Sequence, residues 1–323
     1  MLNALTIDIE DYFQVHAFCN VIKYDDWDCH ECRIERNTYR LLEMLDGATQ
    51  HSTLKTETAP KGTFFVLGWI AERYPHLVRE ICQQGHEIAC HGYAHRLVYS
   101  QSREEFREDI RKAKIILENI SGCEVIGYRA PSYSITSKSK WAFEVLLEEG
   151  FKYDSSIFPI RHDFYGIPSA PRFPFIITMN DNNNAEFSVL NVESNLSNES
   201  KIDLDSTFNI QPSKFIIEFP LSTARFIGQN IPIAGGGYFR LFPFHLVKSG
   251  LKRINQVEKM PFIFYMHPWE IDNEQPRIQN IARLSKFRHY VNLNKTEKRF
   301  KRLLSEFDFV PVKELLRFYH LYL

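Results

Sequence analysis

Gly62-Thr63-Phe64-Phe65-Val66-Leu67-Gly68, a helix-length stretch to Gln84, and then Gly85-His86-Glu87-Ile88-Ala89-Cys90-His91 decide the fold class. The run between Gly62 and Gly68 is short and apolar, as a strand covered on both faces has to be. Residues 71–84 are expected to form a helix, and Gly85 stands where a helix C-cap belongs. Residues 86–91 then resume as a strand that delivers His91 at its end. Strand, helix and strand at this spacing form one crossover unit with parallel strands.

The same alternation continues in both directions. Residues 4–9 read as a buried strand ending in Asp8-Ile9-Glu10-Asp11, residues 36–45 as a helix, and residues 50–61 as a polar loop. Ser102 and Glu105 have the spacing of a capping box, with Phe106, Ile110, Ala113, Leu117 and Ile120 following at helical spacing. Residues 125–128 form a strand leading into Arg129-Ala130-Pro131-Ser132-Tyr133, and residues 138–149 a helix stopped by Gly150. Residues 151–154 end a strand at Asp154, and residues 261–267 form a strand ending in His267. The class is α/β, with parallel strands in a barrel or an open sheet, and in either case function gathers at the C-terminal strand ends. Residues 180–208, opening on Asn180-Asp181-Asn182-Asn183-Asn184, break the alternation and read as a loop or hairpin insertion with a strand-like run near 187–192.

Bulk properties remove several function classes. The chain has 323 residues, is 44% hydrophobic and carries a formal net charge of −1, so no global charge draws it to nucleic acid. No run reaches the length of a spanning helix, and no basic, apolar leader precedes Asp8; a cytoplasmic location, peripheral to an export complex, is the expectation. Cys29-His30-Glu31-Cys32 lacks the second ligand pair of a zinc finger, so the six cysteines are expected as free thiols.

The chemistry concentrates at strand ends. His91 and His95 flank Gly92, and two neutral imidazoles with a carboxylate make a three-ligand metal site with open positions. Asp8 and Glu10 share a face if the strand continues, while Asp11 serves if the strand has ended, so the oxygen ligand is Glu10 or Asp11. Arg129 can clamp Asp8 and keep it ionised. The turn at Tyr133 can offer a backbone N–H to an oxyanion. His267 needs a carboxylate to serve as a protonated acid, and Asp154 is available.

In order along the chain, Asp8-x-Glu10-Asp11, the 62–68 strand, His91-x-x-x-His95, Arg129-Ala130-Pro131-Ser132-Tyr133, Tyr153-Asp154-Ser155-Ser156 and Met266-His267-Pro268 resemble the motifs of the polysaccharide deacetylases (NodB homology, carbohydrate esterase family 4). The stretches Ile157-Phe158-Pro159-Ile160 to Pro168, Gly235-Gly236-Gly237-Tyr238-Phe239-Arg240 and Phe287-Arg288-His289-Tyr290 resemble the subgroup found with exopolysaccharide and exosortase loci. The resemblance implies a distorted (β/α) barrel of about seven units and a single domain over 1–323, with a subgroup elaboration from about 240. It implies a zinc ion, or another divalent metal, on Glu10 (or Asp11), His91 and His95. By the same resemblance Asp8 is the base, Arg129 its orienting partner, Tyr133 the oxyanion donor, Asp154 the tuner of His267, and His267 the acid. The implied reaction removes N-acetyl groups from N-acetylhexosamine residues of an exopolysaccharide or its precursor. The alternatives are hydrolysis of a small amide or ureide on the same barrel, and a non-catalytic glycan-binding protein.

Overall fold

The computed structural model describes residues 1–48, 59–180, 185–189 and 215–318. In chain order the elements are β1 (Leu2–Ile9), α1 (Ile34–Asp46), β2 (Thr63–Val66), α2 (Gly68–Arg73), α3 (Pro75–Gln83), β3 (Glu87–Cys90), α4 (Arg103–Ser121), β4 (Gly127–Tyr128), α5 (Ala142–Glu148) and β5 (Tyr153–Asp154). There follow β6 (Phe175–Met179), β7 (Ala185–Val189), β8 (Phe215–Glu218), β9 (Thr223–Phe226), β10 (Gln229–Pro232), α6 (Gly236–Leu241) and α7 (Phe244–Gln256). The chain continues through β11 (Ile263–Met266), α8 (Arg283–Tyr290), α9 (Leu293–Leu304), β12 (Asp308–Val310) and α10 (Val312–Phe318).

The sheet runs β11-β1-β2-β3-β4-β5-β8, every neighbour parallel, so seven strands form the wall of the (β/α) barrel. Between β8 and β11 the wall is laced without a ladder: the Ile263 N–H donates to Ser222 Oγ at 2.9 Å, and Gly235 bridges Tyr265. The ring is therefore distorted at that seam. β6 and β7 continue from β8 as an antiparallel extension. β7 lies in the expected insertion, of which residues 181–184 and 190–208 lie outside the described residues, as do 50–58 of the expected 50–61 loop. β12 pairs with β1, so the C-terminal segment is part of the same sheet.

Local chemistry accounts for the elements. β1 and β2 are buried along almost their whole length, which is why their sequences are continuous rather than alternating. The capping box closes as the spacing requires: Ser102 Oγ accepts from the Glu105 N–H and Glu105 accepts from the Ser102 N–H, starting α4, which ends at Gly122 with φ 69°. The helix expected over 71–84 is instead two, α2 and α3. Pro75 cannot donate the bond that would continue α2, so it opens α3 at its first position. The expected helix over 138–149 is shorter, beginning at Ala142.

Candidate active site

β1 delivers two carboxylates to one cavity. The Glu10 N–H folds back to the Asp8 carbonyl at 3.0 Å as the strand ends, and both side chains reach the cavity wall. Asp11 faces the other way. Its carboxylate accepts from the backbone N–H groups of Tyr12, Arg33 and Ile34, capping the start of α1. That engagement removes Asp11 from the histidines and leaves Glu10 beside them.

β3 ends at Cys90, and the chain turns sharply through Gly92 (φ 75°), where a Cβ would lie 2.7 Å from an Asp109 oxygen. The turn brings His91 and His95 face to edge, with ring centroids 5.4 Å apart. Ligand atoms of Glu10, His91 and His95 all lie within 4.8 Å of one another, and all three residues are buried. His91 Nδ1–H donates to the Arg129 carbonyl at 2.8 Å, which leaves Nε2 as the free donor nitrogen. Burial pushes His91 down to about 4, keeping the imidazole neutral. Glu10 Oε2 sits 2.6 Å from His95 Nε2, yet it is buried without an aligned hydrogen bond. A buried carboxylate oxygen left so, facing two imidazole nitrogens, fits a divalent cation with nitrogen and oxygen ligands. Trp269 Nε1–H steadies the other oxygen, Oε1, at 3.3 Å.

Asp8 is paired with Arg129 at 2.7 Å, and both are buried. The guanidinium also donates to Thr6 Oγ1, the Ser155 carbonyl and Ser155 Oγ, and it lies 4.2 Å over the Phe65 ring. A buried charge so fully partnered is stable, whereas removing one partner of such a pair costs about 3–5 kcal/mol.

His267 follows β11, with Nε2 3.8 Å from Asp8 Oδ2 and 3.5 Å from Glu10 Oε1. The carboxylate on its Nδ1 is not Asp154 but Glu270, at 2.7 Å. Glu270 is in turn held by Arg240 Nε at 2.6 Å, while Arg240 Nη1 donates to the His289 and Val291 carbonyls. Burial works against charge on both His267 and Glu270. The surrounding charges more than offset it: Arg240 and His267 hold Glu270 ionised, and Glu10, Glu270 and Asp8 raise His267 to about 9. Asp154 is occupied elsewhere. It accepts from the Ser156 N–H and Ser156 Oγ–H, and Ser156 Oγ receives the Ala130 N–H at 2.8 Å. Asp154 thereby braces the Arg129–Tyr133 turn from behind.

Tyr133 requires a second correction. Ser132 and Tyr133 sit at φ 51° and 55° on the cavity wall, a strained turn of the kind found at functional sites. The Tyr133 N–H already donates to the Ala130 carbonyl at 2.9 Å, closing that turn, so it is not free for an oxyanion.

Glu270 and Arg240 were missed by the sequence reading. The three-residue step from His267 to Glu270 across Pro268 was a usable signal for the first. Arg240 was quoted only as the end of the Gly235–Arg240 stretch, with no site role, because 26 residues lie between it and His267. It arrives through Gly235, whose φ of 143° lets the backbone lie against Tyr265 before α6 begins. The cavity these groups line has a volume of about 400 Å³, within the range of small-ligand sites.

Residues 47–147 match the family described as "Polysaccharide deacetylase", and residues 200–317 match a "Domain of unknown function (DUF3473)". A peptidoglycan-N-acetylglucosamine deacetylase of Bacillus cereus is 34% identical over 103 residues, 32% of this chain and 35% of that protein. A peptidoglycan deacetylase of Helicobacter pylori is 28% identical over 102 residues, 32% of this chain and 33% of that protein. The chain thus spans about a third of the length of the curated relatives it matches. Structures assigned to the polysaccharide deacetylases from Mycobacterium smegmatis and Pseudomonas aeruginosa PAO1 share the fold. The first has TM-score 0.53 at 16% identity and covers 98% of this chain and 88% of that one; the second has TM-score 0.52 at 13% identity and covers 98% and 90%.

Proposed function

We propose that this chain hydrolyses the N-acetyl group of N-acetylhexosamine residues in a glycan, with zinc as the bound ion, a reading supported by the match of residues 47–147 to the polysaccharide deacetylase family. The observation that carries this reading is one cavity in which a Glu10–His91–His95 cluster lies beside an arginine-braced Asp8 and a carboxylate-braced His267. An ion held by Glu10, His91 and His95 supplies Lewis-acid polarisation of the amide carbonyl and acidifies water.

The protein's own groups handle the protons. Asp8, paired with Arg129, accepts a proton from the attacking water. As the tetrahedral adduct collapses and the C–N bond breaks, protonated His267 gives its Nε2 proton to the departing amine. Acetate and the free amino sugar leave. Glu270, fixed by Arg240, aims that imidazole and stabilises its charge. Arg240 belongs to the segment matched as a domain of unknown function, so both matched regions contribute to one site.

An exopolysaccharide or its lipid-linked precursor, met at a cytoplasmic export complex, is the substrate this reading favours, from the sequence resemblance. Among the described residues no helix is long and apolar enough to cross a membrane. The test is metal content of the purified protein together with acetate release from N-acetylglucosamine oligomers, for wild type and His91→Ala. About one divalent ion per chain with ion-dependent acetate release supports the reading. A protein without metal, or with metal and no release from any acetylated amino sugar, overturns it.

A further inference from the structure

Of the acids and arginines that line the cavity, all but one have a charged partner. Asp8 has Arg129, Glu270 has Arg240, and Glu10 faces His95 and His267. The imidazoles of His16, His162 and His289 are neutral, burial holding each below its ordinary value. Arg288, on α8, lines the same cavity, is exposed, and makes no ion pair or hydrogen bond with any carboxylate among the described residues. Its charge reaches His162: after burial it is the next cause depressing that imidazole, with the exposed Asp163 acting the other way. His162 in turn stacks on Tyr165 at 3.8 Å and 9°, so a flat aromatic wall stands near the free guanidinium.

An uncommitted arginine at the mouth of a concave site raises the local concentration of anions and pairs well with carboxylate or phosphate oxygens. A divalent ion within the cavity adds to the same positive field. On the deacetylase reading, we propose that Arg288 is a specificity residue that binds an oxyanion on the substrate, so that the natural glycan carries a carboxylate or phosphate close to the N-acetylhexosamine being processed. A neighbouring uronic acid supplies the first chemistry and a sugar-linked phosphodiester the second. A neutral chitin-like chain leaves Arg288 without a partner.

Three probes separate these cases: a neutral N-acetylglucosamine tetramer, a tetrasaccharide alternating N-acetylglucosamine with glucuronic acid, and UDP-N-acetylglucosamine. Binding of each to the metal-loaded protein is measured by calorimetry for wild type, Arg288→Gln and Arg288→Lys, and acetate release is followed in parallel. The expected result is that one anionic probe binds about tenfold more tightly than the neutral tetramer, a preference lost in Arg288→Gln and partly kept in Arg288→Lys. That preference shrinks as salt is raised. Selectivity for the glucuronic tetrasaccharide identifies a carboxylate, and selectivity for the nucleotide sugar a phosphate. Equal binding of neutral and anionic probes, or an anion preference untouched by Arg288→Gln, overturns the proposal. The two readings fail separately. Acetate release without anion preference removes the anion site and leaves the deacetylase, whereas anion-selective binding without release from any probe keeps the site and removes the deacetylase.

Discussion

Replacing Glu218 by Gln tests the buried carboxyl pair beneath the site. Glu218 ends β8, is fully buried, and accepts the Ile157 N–H on Oε1 at 2.9 Å. Its Oε2 is buried with no donor, and Asp154 is the facing group. Two carboxylates so placed share one proton. Burial, then the Asp154 charge, raises Glu218 well above its ordinary value, so Glu218 carries the proton and Asp154 keeps the charge that holds Ser156. In the unfolded chain a glutamate loses its proton near pH 4.3. Above that pH the folded state binds one proton more than the unfolded state, and stability falls with rising pH by about 1.4 kcal/mol per unit until the folded group titrates. The stabilisation is therefore complete below pH ~4.3 and erodes as pH rises above it, a window sampled from about pH 5.5 to 7.5. Glu218→Gln donates from its amide where the protonated acid did and has no proton to lose. Urea unfolding of both proteins at half-unit pH steps should show the variant gaining on wild type along that slope, with other titrating groups cancelling in the difference. A gap that stays constant across the window would refute the shared proton.

Three further outcomes follow from the geometry. Glu10→Gln should abolish stoichiometric metal binding by elemental analysis, while Asp11→Asn should keep the metal and lose about 1–3 kcal/mol of stability by urea titration, because only Asp11 caps α1; the opposite pattern would exchange the two roles. Glu270→Gln should lower kcat at least about tenfold with little change in KM, since it disturbs the proton donor and not the cavity wall, whereas a change in KM alone would deny its link to His267. Gly235→Ala should cost about 3 kcal/mol, as its Cβ would meet the Tyr265 carbonyl oxygen at 1.8 Å from a left-handed backbone, and a wild-type urea midpoint would show that the seam can give.

The chain's own order settled a good deal. Apolar runs of strand length, helix caps at Ser102 and Gly85, and histidines at a strand end are local signals, because backbone geometry and burial on two faces act over a few residues. They were enough for the parallel α/β class and for singling out Asp8, Glu10, His91, His95 and His267, which line the cavity. Partner choice between residues far apart in sequence was decided only in three dimensions. Asp11 lost the histidines because its carboxylate lies against the start of α1. Asp154 lost His267 because Ser156 and Glu218 surround it, and Arg240 came to Glu270 across a strand through a glycine seam. A buried charge pairs with whichever opposite group the fold sets within about 3 Å, and sequence spacing holds no record of that distance.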